Sequence, residues 1–268
     1  MKCLSKTIFF LFLFCLGCSG SNEESEEAGS EPAITIPLEV YKKVYGATSD
    51  IAISGGYVYI NTNGVPDHKS PYFKDTKWHD AKYETYDTSN PNKFHTGDFH
   101  LNPNRVTELS ISFKIPNSPS KTSTNKPTAM GPIGVSLNGV PFYNQYAGMN
   151  QPLTREINSF DNYNGHPAPL SPGAEDGSGG RYHYHMEPFW LTTNASKDAL
   201  LGFLLDGFPV YGPEEGGETV TSSDLDSYHG HTLATKDFPD GIYHYHTTGD
   251  APYINGSGYY GSPGTVSQ

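Results

Sequence analysis

The tetrapeptide Tyr-His-Tyr-His occurs twice in this chain, at residues 182–185 and 243–246. Alternate residues of a β-strand share a face. His183 and His185 therefore point one way and Tyr182 and Tyr184 the other, and His244, His246, Tyr243 and Tyr245 repeat the arrangement. Two imidazoles ~6.6 Å apart along a strand can converge on one ion. A third histidine stands upstream of each pair, His166 in "DNYNGH" and His231 in "DSYHGH". Both follow a glycine in what reads as a loop, opened by Asp161 or Asp226. Each set offers three imidazole nitrogens, an optional carboxylate and an open position, which suits zinc, copper or non-haem iron. A single buried histidine more often just hydrogen-bonds a carbonyl. Six of them, two per strand plus one upstream and all in duplicate, are more than a core requires. Asp161 and Asp226 are candidates to orient imidazoles or to cap turns as Asx residues.

The duplication is longer than these sets. "GVSLNGVPFY" (134–143) and "GFLLDGFPVY" (202–211) share the pattern G-x-x-L-[N/D]-G-Φ-P-Φ-Y, where Φ is apolar. With the D-x-Y-x-G-H and YHYH blocks after it, three matched blocks stand in the same order, so the C-terminal part reads as an internal repeat over about 133–186 and 201–247. Two copies of such length predict a pseudo-twofold pair rather than a solenoid. They leave open two sites, one site shared between the halves, or one degenerate copy. Asn138-Gly139 and Asp206-Gly207 predict tight hairpin turns with positive φ. The prolines that follow, Pro141 and Pro209, argue against central ladder positions. An earlier cousin, "NTNGVPDH" (61–68), ends in His68. His68, His79, His95 and His100 read as solvated loop histidines. Of these His68, inside a recurring motif, is the first candidate to fold over the C-terminal site as an auxiliary group.

Nineteen tyrosines, 29 glycines and 21 prolines describe a turn-rich β protein. Alternation predicts strands over 33–44, 50–62 and 107–116, followed by segments near 133–138, 140–146, 181–186, 200–205, 208–211 and 241–247. Residues 117–132 and 213–224 read as polar loops, the glutamates of 213–218 as a solvated acidic stretch. "NASKDALLGF" (194–203) offers one helical turn behind an Asn or Ser cap, then a buried strand. The expected fold is mainly β, a sandwich or a distorted barrel. No nucleophile elbow, His-Glu-x-x-His helix, P-loop or calcium-loop spelling occurs.

The first 17 residues read as a lipoprotein signal peptide: Lys2 and Lys6, an apolar run from Ile8 to Leu16 too short to span a bilayer, then Gly17-Cys18. An ordinary secretory signal is the alternative. In the lipoprotein reading Cys18 is acylated and the chains anchor the protein to a membrane. Residues 18–32 form an acidic flexible tether resembling those of surface-exported lipoproteins, which places the β domain (33–268) at the outer membrane or cell surface. Cleavage would remove Cys3 and Cys15, leaving no disulfide, and would take the formal charge from −12 to −14. That charge argues against nucleic acid as a partner.

The motifs "NGVPDH" (63–68), "IGVSLNGVPFY" (133–143), "GRYHYH" (180–185), "LGFLLDGFPVYGP" (201–213), "DLDSYHGH" (224–231) and "DGIYHYHTTGDAPYINGSGYYG" (240–261) resemble the YHYH family of exported bacterial proteins over most of residues 50–260. The resemblance implies an exported domain in which the Tyr and His residues have a role. Typical members carry one cysteine after the equivalent of Leu225-Asp226 and another closing the later Pro-Tyr segment. Ser227 or Tyr228 and Gly256 to Gly258 stand there in this chain, which fits loss of one disulfide.

Three functions remain open on the sequence. The first is a lipid-anchored envelope protein that binds copper or zinc through His166, His183, His185, His231, His244 and His246. The second is a surface module for a glycan or other small ligand, with Tyr182, Tyr184, Tyr243 and Tyr245 as stacking platforms. The third is an envelope enzyme, metal-dependent or using histidine as general base.

Overall fold

Short apolar runs punctuated by Asn-Gly and Asp-Gly turns build an eight-stranded sheet whose strand order mirrors the sequence repeat. The structure is a computed structural model and describes residues 34–170, 179–256 and 258–268. The signal peptide (1–17), Cys18 and the tether to residue 32 lie outside the described residues. The first repeat supplies strands Gly134–Ser136, Pro141–Phe142, Gly165–Pro169 and Gly180–Tyr184, the second Leu200–Leu204, Pro209–Tyr211, Gly230–Leu233 and Ile242–His246. Each half places its YHYH strand between two others. One is its outermost strand, antiparallel, and the other is the short strand of its Pro-Φ-Tyr motif, parallel. The two halves meet at an antiparallel seam where Gly202 faces Ser136 and Leu204 faces Gly134. A pseudo-twofold axis therefore passes through that seam.

The hairpin turns are as the sequence implies, with Gly139 at φ 81° and Gly207 at φ 93°. The prolines after them do not exclude their strands from the interior of the sheet. Pro141 and Pro209 are each the first residue of a strand with a neighbour on both sides. A first position tolerates proline because the ladder begins there.

A second, four-stranded antiparallel sheet runs in the order Ala52–Ser54, Tyr57–Thr62, Ile111–Pro116, Thr265–Ser267. Its inward side chains Val58, Ile60, Phe113 and Ile115 join Val135, Phe142, Phe203, Val210 and Tyr245 of the large sheet in one core. The fold is mainly β, and no sheet closes on itself among the described residues, so it fits a sandwich rather than a barrel.

Several local expectations change. Residues 33–44 hold no strand among the described positions; Leu38–Tyr41 is a helical turn entered at Pro37. The buried positions Ile36, Val40, Tyr41 and Val44 have helical spacing, which the alternation of Ile36, Leu38 and Val40 concealed. The 50–62 segment is a hairpin split at Gly55-Gly56, both with positive φ. Within the supposed loop 117–132, Lys121–Lys126 pairs with Tyr259–Gly261. Within 213–224, Glu214–Glu215 pairs with Glu218–Thr219. The helical turn near Asn194 ends there rather than starting, as Phe189–Asn194.

Candidate metal centres

Strand pairing brings the histidines together. His166 and His231 sit on strands, not in loops, directly across from His183 and His244. Directly opposed residues on one face of an antiparallel pair touch, so each upstream histidine meets its YHYH pair. In the first centre, His183 Nε2 is 3.1 Å from His166 Nε2 and 2.8 Å from His185 Nε2. In the second, His231 Nε2 is 3.1 Å from His246 Nε2, and Glu215 brings its carboxylate to 3.1 Å from His231 Nε2 and 3.2 Å from His244 Nε2. Both groups, His166–His183–His185 and Glu215–His231–His244–His246, have the compactness of a metal-binding cluster.

The other ring nitrogens fix the tautomers. His183 Nδ1 donates to Arg181 O (2.8 Å) and His185 Nδ1 to Asn144 O (2.5 Å). His244 Nδ1 donates to Ile242 O (2.9 Å) and His246 Nδ1 to Gly212 O (2.7 Å). A carbonyl only accepts, so each Nδ1 carries the proton and each Nε2 presents a lone pair. His166 Nδ1 donates to Ser159 Oγ (2.7 Å), whose hydroxyl proton goes to Glu156 O (2.7 Å). Burial holds His185, His244 and His246 down to about 4, and burial reinforced by the neighbouring imidazoles holds His166 and His183 well below the usual histidine range. The rings of the first centre are thus neutral, and three lone pairs face one another with no proton between them. Unsatisfied buried acceptors cost ~1–3 kcal/mol each. Nitrogens bound at 2.0–2.1 Å around one tetrahedral ion are ~3.3–3.4 Å apart, so the rings, now at 2.8 and 3.1 Å, need to part by only a few tenths of an ångström to hold one.

The rest of the repeat supports these rings. Asn144 and Gly212, whose carbonyls hold the second histidine of each pair, follow the last tyrosine of the G-x-x-L block. That tyrosine packs on the rings: Tyr143 stacks on His183 at 3.9 Å and Tyr211 meets His244 edge-on at 5.2 Å.

Asp161 and Asp226 do not reach the imidazoles. Each caps its own turn, accepting from Tyr163 and Gly165 N–H or from Tyr228 and Gly230 N–H. Each also accepts a tyrosine hydroxyl from the opposite face of the YHYH strand, Tyr182 at 2.7 Å and Tyr243 at 2.9 Å. The second tyrosine of each pair binds the turn residue of the first block: Asn138 Nδ2 donates to Tyr184 (3.1 Å), and Tyr245 donates to Asp206 (2.7 Å). Burial raises the Asp206 carboxyl to about 6.

These tyrosines are not stacking platforms. Tyr182, Tyr184 and Tyr245 are 0% exposed and Tyr243 is buried beside them, so no glycan reaches their faces. His68 is not a solvated loop residue either. It is buried on the tyrosine face, its Nδ1 donating to Lys69 O (2.9 Å) and its Nε2 accepting from Tyr184 OH (3.1 Å). It supports the strand from behind rather than covering the histidine cluster. His95 is half-buried, its Nε2 at 2.8 Å from Phe160 O.

Glu215 is the site residue that sequence reading missed. It lies in the stretch read as solvated acid, on a hairpin turned by Gly216-Gly217. The Gly-Gly pair signals that hairpin, but nothing in its spacing ties Glu215 to histidines 16 to 31 residues away. The neighbourhood where the resemblance places a disulfide is indeed drawn together: Gly256 N donates to Tyr228 O at 3.1 Å.

A family model described as "YHYH protein" matches residues 112–216 and 214–258. No curated protein and no solved structure matches the chain.

Proposed function

The chain belongs to the YHYH protein family, and from that premise we propose that it is a metal-binding protein of the cell envelope that takes one transition-metal ion, copper or zinc, in each half of its large sheet. The observation that carries this reading is the convergence of neutral Nε2 lone pairs whose Nδ1 protons are committed elsewhere. One cation satisfies three such acceptors at once, which a single water with its two protons does not. In the second half His231, His244, His246 and Glu215 would hold the ion, an all-protein set of four. When bound, such an ion supplies Lewis-acid or, for copper, redox chemistry. The chain's own contribution is to fix ring orientation through backbone carbonyls.

Elemental analysis of the untagged full chain tests the proposal. Two equivalents are expected in the wild type and one each in His183→Ala/His185→Ala and in His244→Ala/Glu215→Gln. Wild-type protein that stays metal-free after exposure to zinc and copper overturns it.

The envelope location rests on the signal-peptide pattern and Cys18. Cys18→Ala is expected to move the protein from the detergent-rich to the aqueous phase on phase separation. Retention in the detergent phase would count against lipidation.

A further inference from the structure

The two centres differ in what stands at their fourth position. The second has Glu215 inside the cluster. Among the described residues the first has three imidazoles alone, and the carboxylate of Glu156 stands 3.7 Å from His166 Nε2. All three imidazoles of the first centre line a cleft of about 280 Å³, together with Glu156, Tyr143 and Asn104, whereas the second centre meets its neighbouring cleft only through His246 and Glu215 itself. Asn104 is 5% exposed, and its Nδ2 donates to Pro167 O at 3.3 Å. Its Oδ1 is buried without a hydrogen-bond partner among the described residues. Such an acceptor beside an open three-nitrogen set asks for a donor that arrives with a ligand.

We propose that the first centre is an open, ligand-exchanging site, whereas the second is closed by Glu215. The inference rests on the metal reading above. The ligand contributes an oxygen to the bound ion and hydrogen bonds to Asn104 Oδ1 and to the Glu156 carboxylate. The lining thus selects a small neutral molecule with a carbonyl or hydroxyl oxygen next to an N–H or O–H group, of amide or hydroxamate type. The cleft is at the lower end of ligand-pocket sizes, which excludes a polymer segment lying fully within it.

The test uses the full chain loaded with two equivalents of Co(II), titrated with acetohydroxamic acid while the visible spectrum is recorded. One of the two ions is expected to respond. The response disappears in His183→Ala/His185→Ala and survives in Glu215→Gln. Asn104→Leu, with unchanged first-centre cobalt, is expected to weaken binding about fivefold or more, the loss of one hydrogen bond. Should Asn104→Leu not fold, Glu156→Leu on the cleft wall decides in its place, with the same expected weakening. Two bound ions that both respond, or both stay silent, overturn the inference and leave the metal reading standing. Undiminished affinity in both Asn104→Leu and Glu156→Leu overturns the ligand class. Failure to bind cobalt at all overturns the metal reading and this inference with it.

Discussion

Each YHYH imidazole has its Nδ1 proton held by a backbone carbonyl and its ring buried, and that burial makes the apoprotein acid-sensitive. His185, His244 and His246 fall to about 4 in the folded protein against 6.5 for the free side chain, because burial penalises the charged ring. His229, buried with its Nε2 2.9 Å from Thr248 Oγ1, falls to about 4 as well. Below pH 6.5 the unfolded chain takes up protons that the folded chain refuses, so stability falls with pH until the folded rings protonate near 4. Chelator-treated protein is therefore expected to lose stability steadily between pH 7 and 4.5 in urea denaturation. A flat profile over that range would show that the rings are not buried as neutral bases. Four of the six histidines were legible in the sequence because a period of two puts each pair on one face, and His166 and His231 because their D-x-Y-x-G-H block recurs. Their tautomers were not, since the carbonyls of Asn144 and Gly212 leave no mark in residue type, and Glu215 reaches the second centre only through tertiary folding.

On the level of the strand pair, the glycine of each D-x-Y-x-G-H block has a steric task. A Cβ on Gly165 would lie 2.3 Å from the Tyr182 hydroxyl, and one on Gly230 would lie 2.5 Å from that of Tyr243. The glycine lets the cross-strand tyrosine reach over it to its aspartate. Gly165→Ala is thus expected to push Tyr182 off Asp161 at a cost of about 1–3 kcal/mol. It should also weaken metal binding in the first centre while sparing the second, and Gly230→Ala should do the converse. Thermal melts with metal analysis check both; equal effects on the two centres would refute the local account. Tyr182→Phe separates the two roles of the strand. It removes one hydrogen bond to the Asp161 carboxylate on the tyrosine face, about 1.5–3 kcal/mol, and should leave two metal equivalents bound. The elements carrying these motifs were readable from their repetition. Strands such as Lys121–Lys126, polar and mostly exposed, were not, because period-two hydrophobicity appears only where one face is buried.

At the scale of the molecule, the repeat is held together by the seam between Gly134–Ser136 and Leu200–Leu204. The first glycine of each G-x-x-L block lies there. A Cβ on Gly202 would sit 2.1 Å from Val135 O and 2.7 Å from Ser136 Cα; one on Gly134 would sit 2.4 Å from Phe203 O and 2.8 Å from Leu204 Cα. Each repeat thus opens with the residue that lets the other repeat approach, which is why the pattern recurs although the seam strands carry no site residue. The obstacles are backbone atoms, so no rotamer change relieves them. Gly202→Ala must part the two central strands, and both halves share the core beneath them. It is expected to lower the melting temperature more than Gly165→Ala and to weaken both centres together, where the outer-strand variants weaken one. Two independent melting transitions, or a seam variant that loses metal from one half alone, would show that the halves fold as separate units joined by chain rather than by sheet.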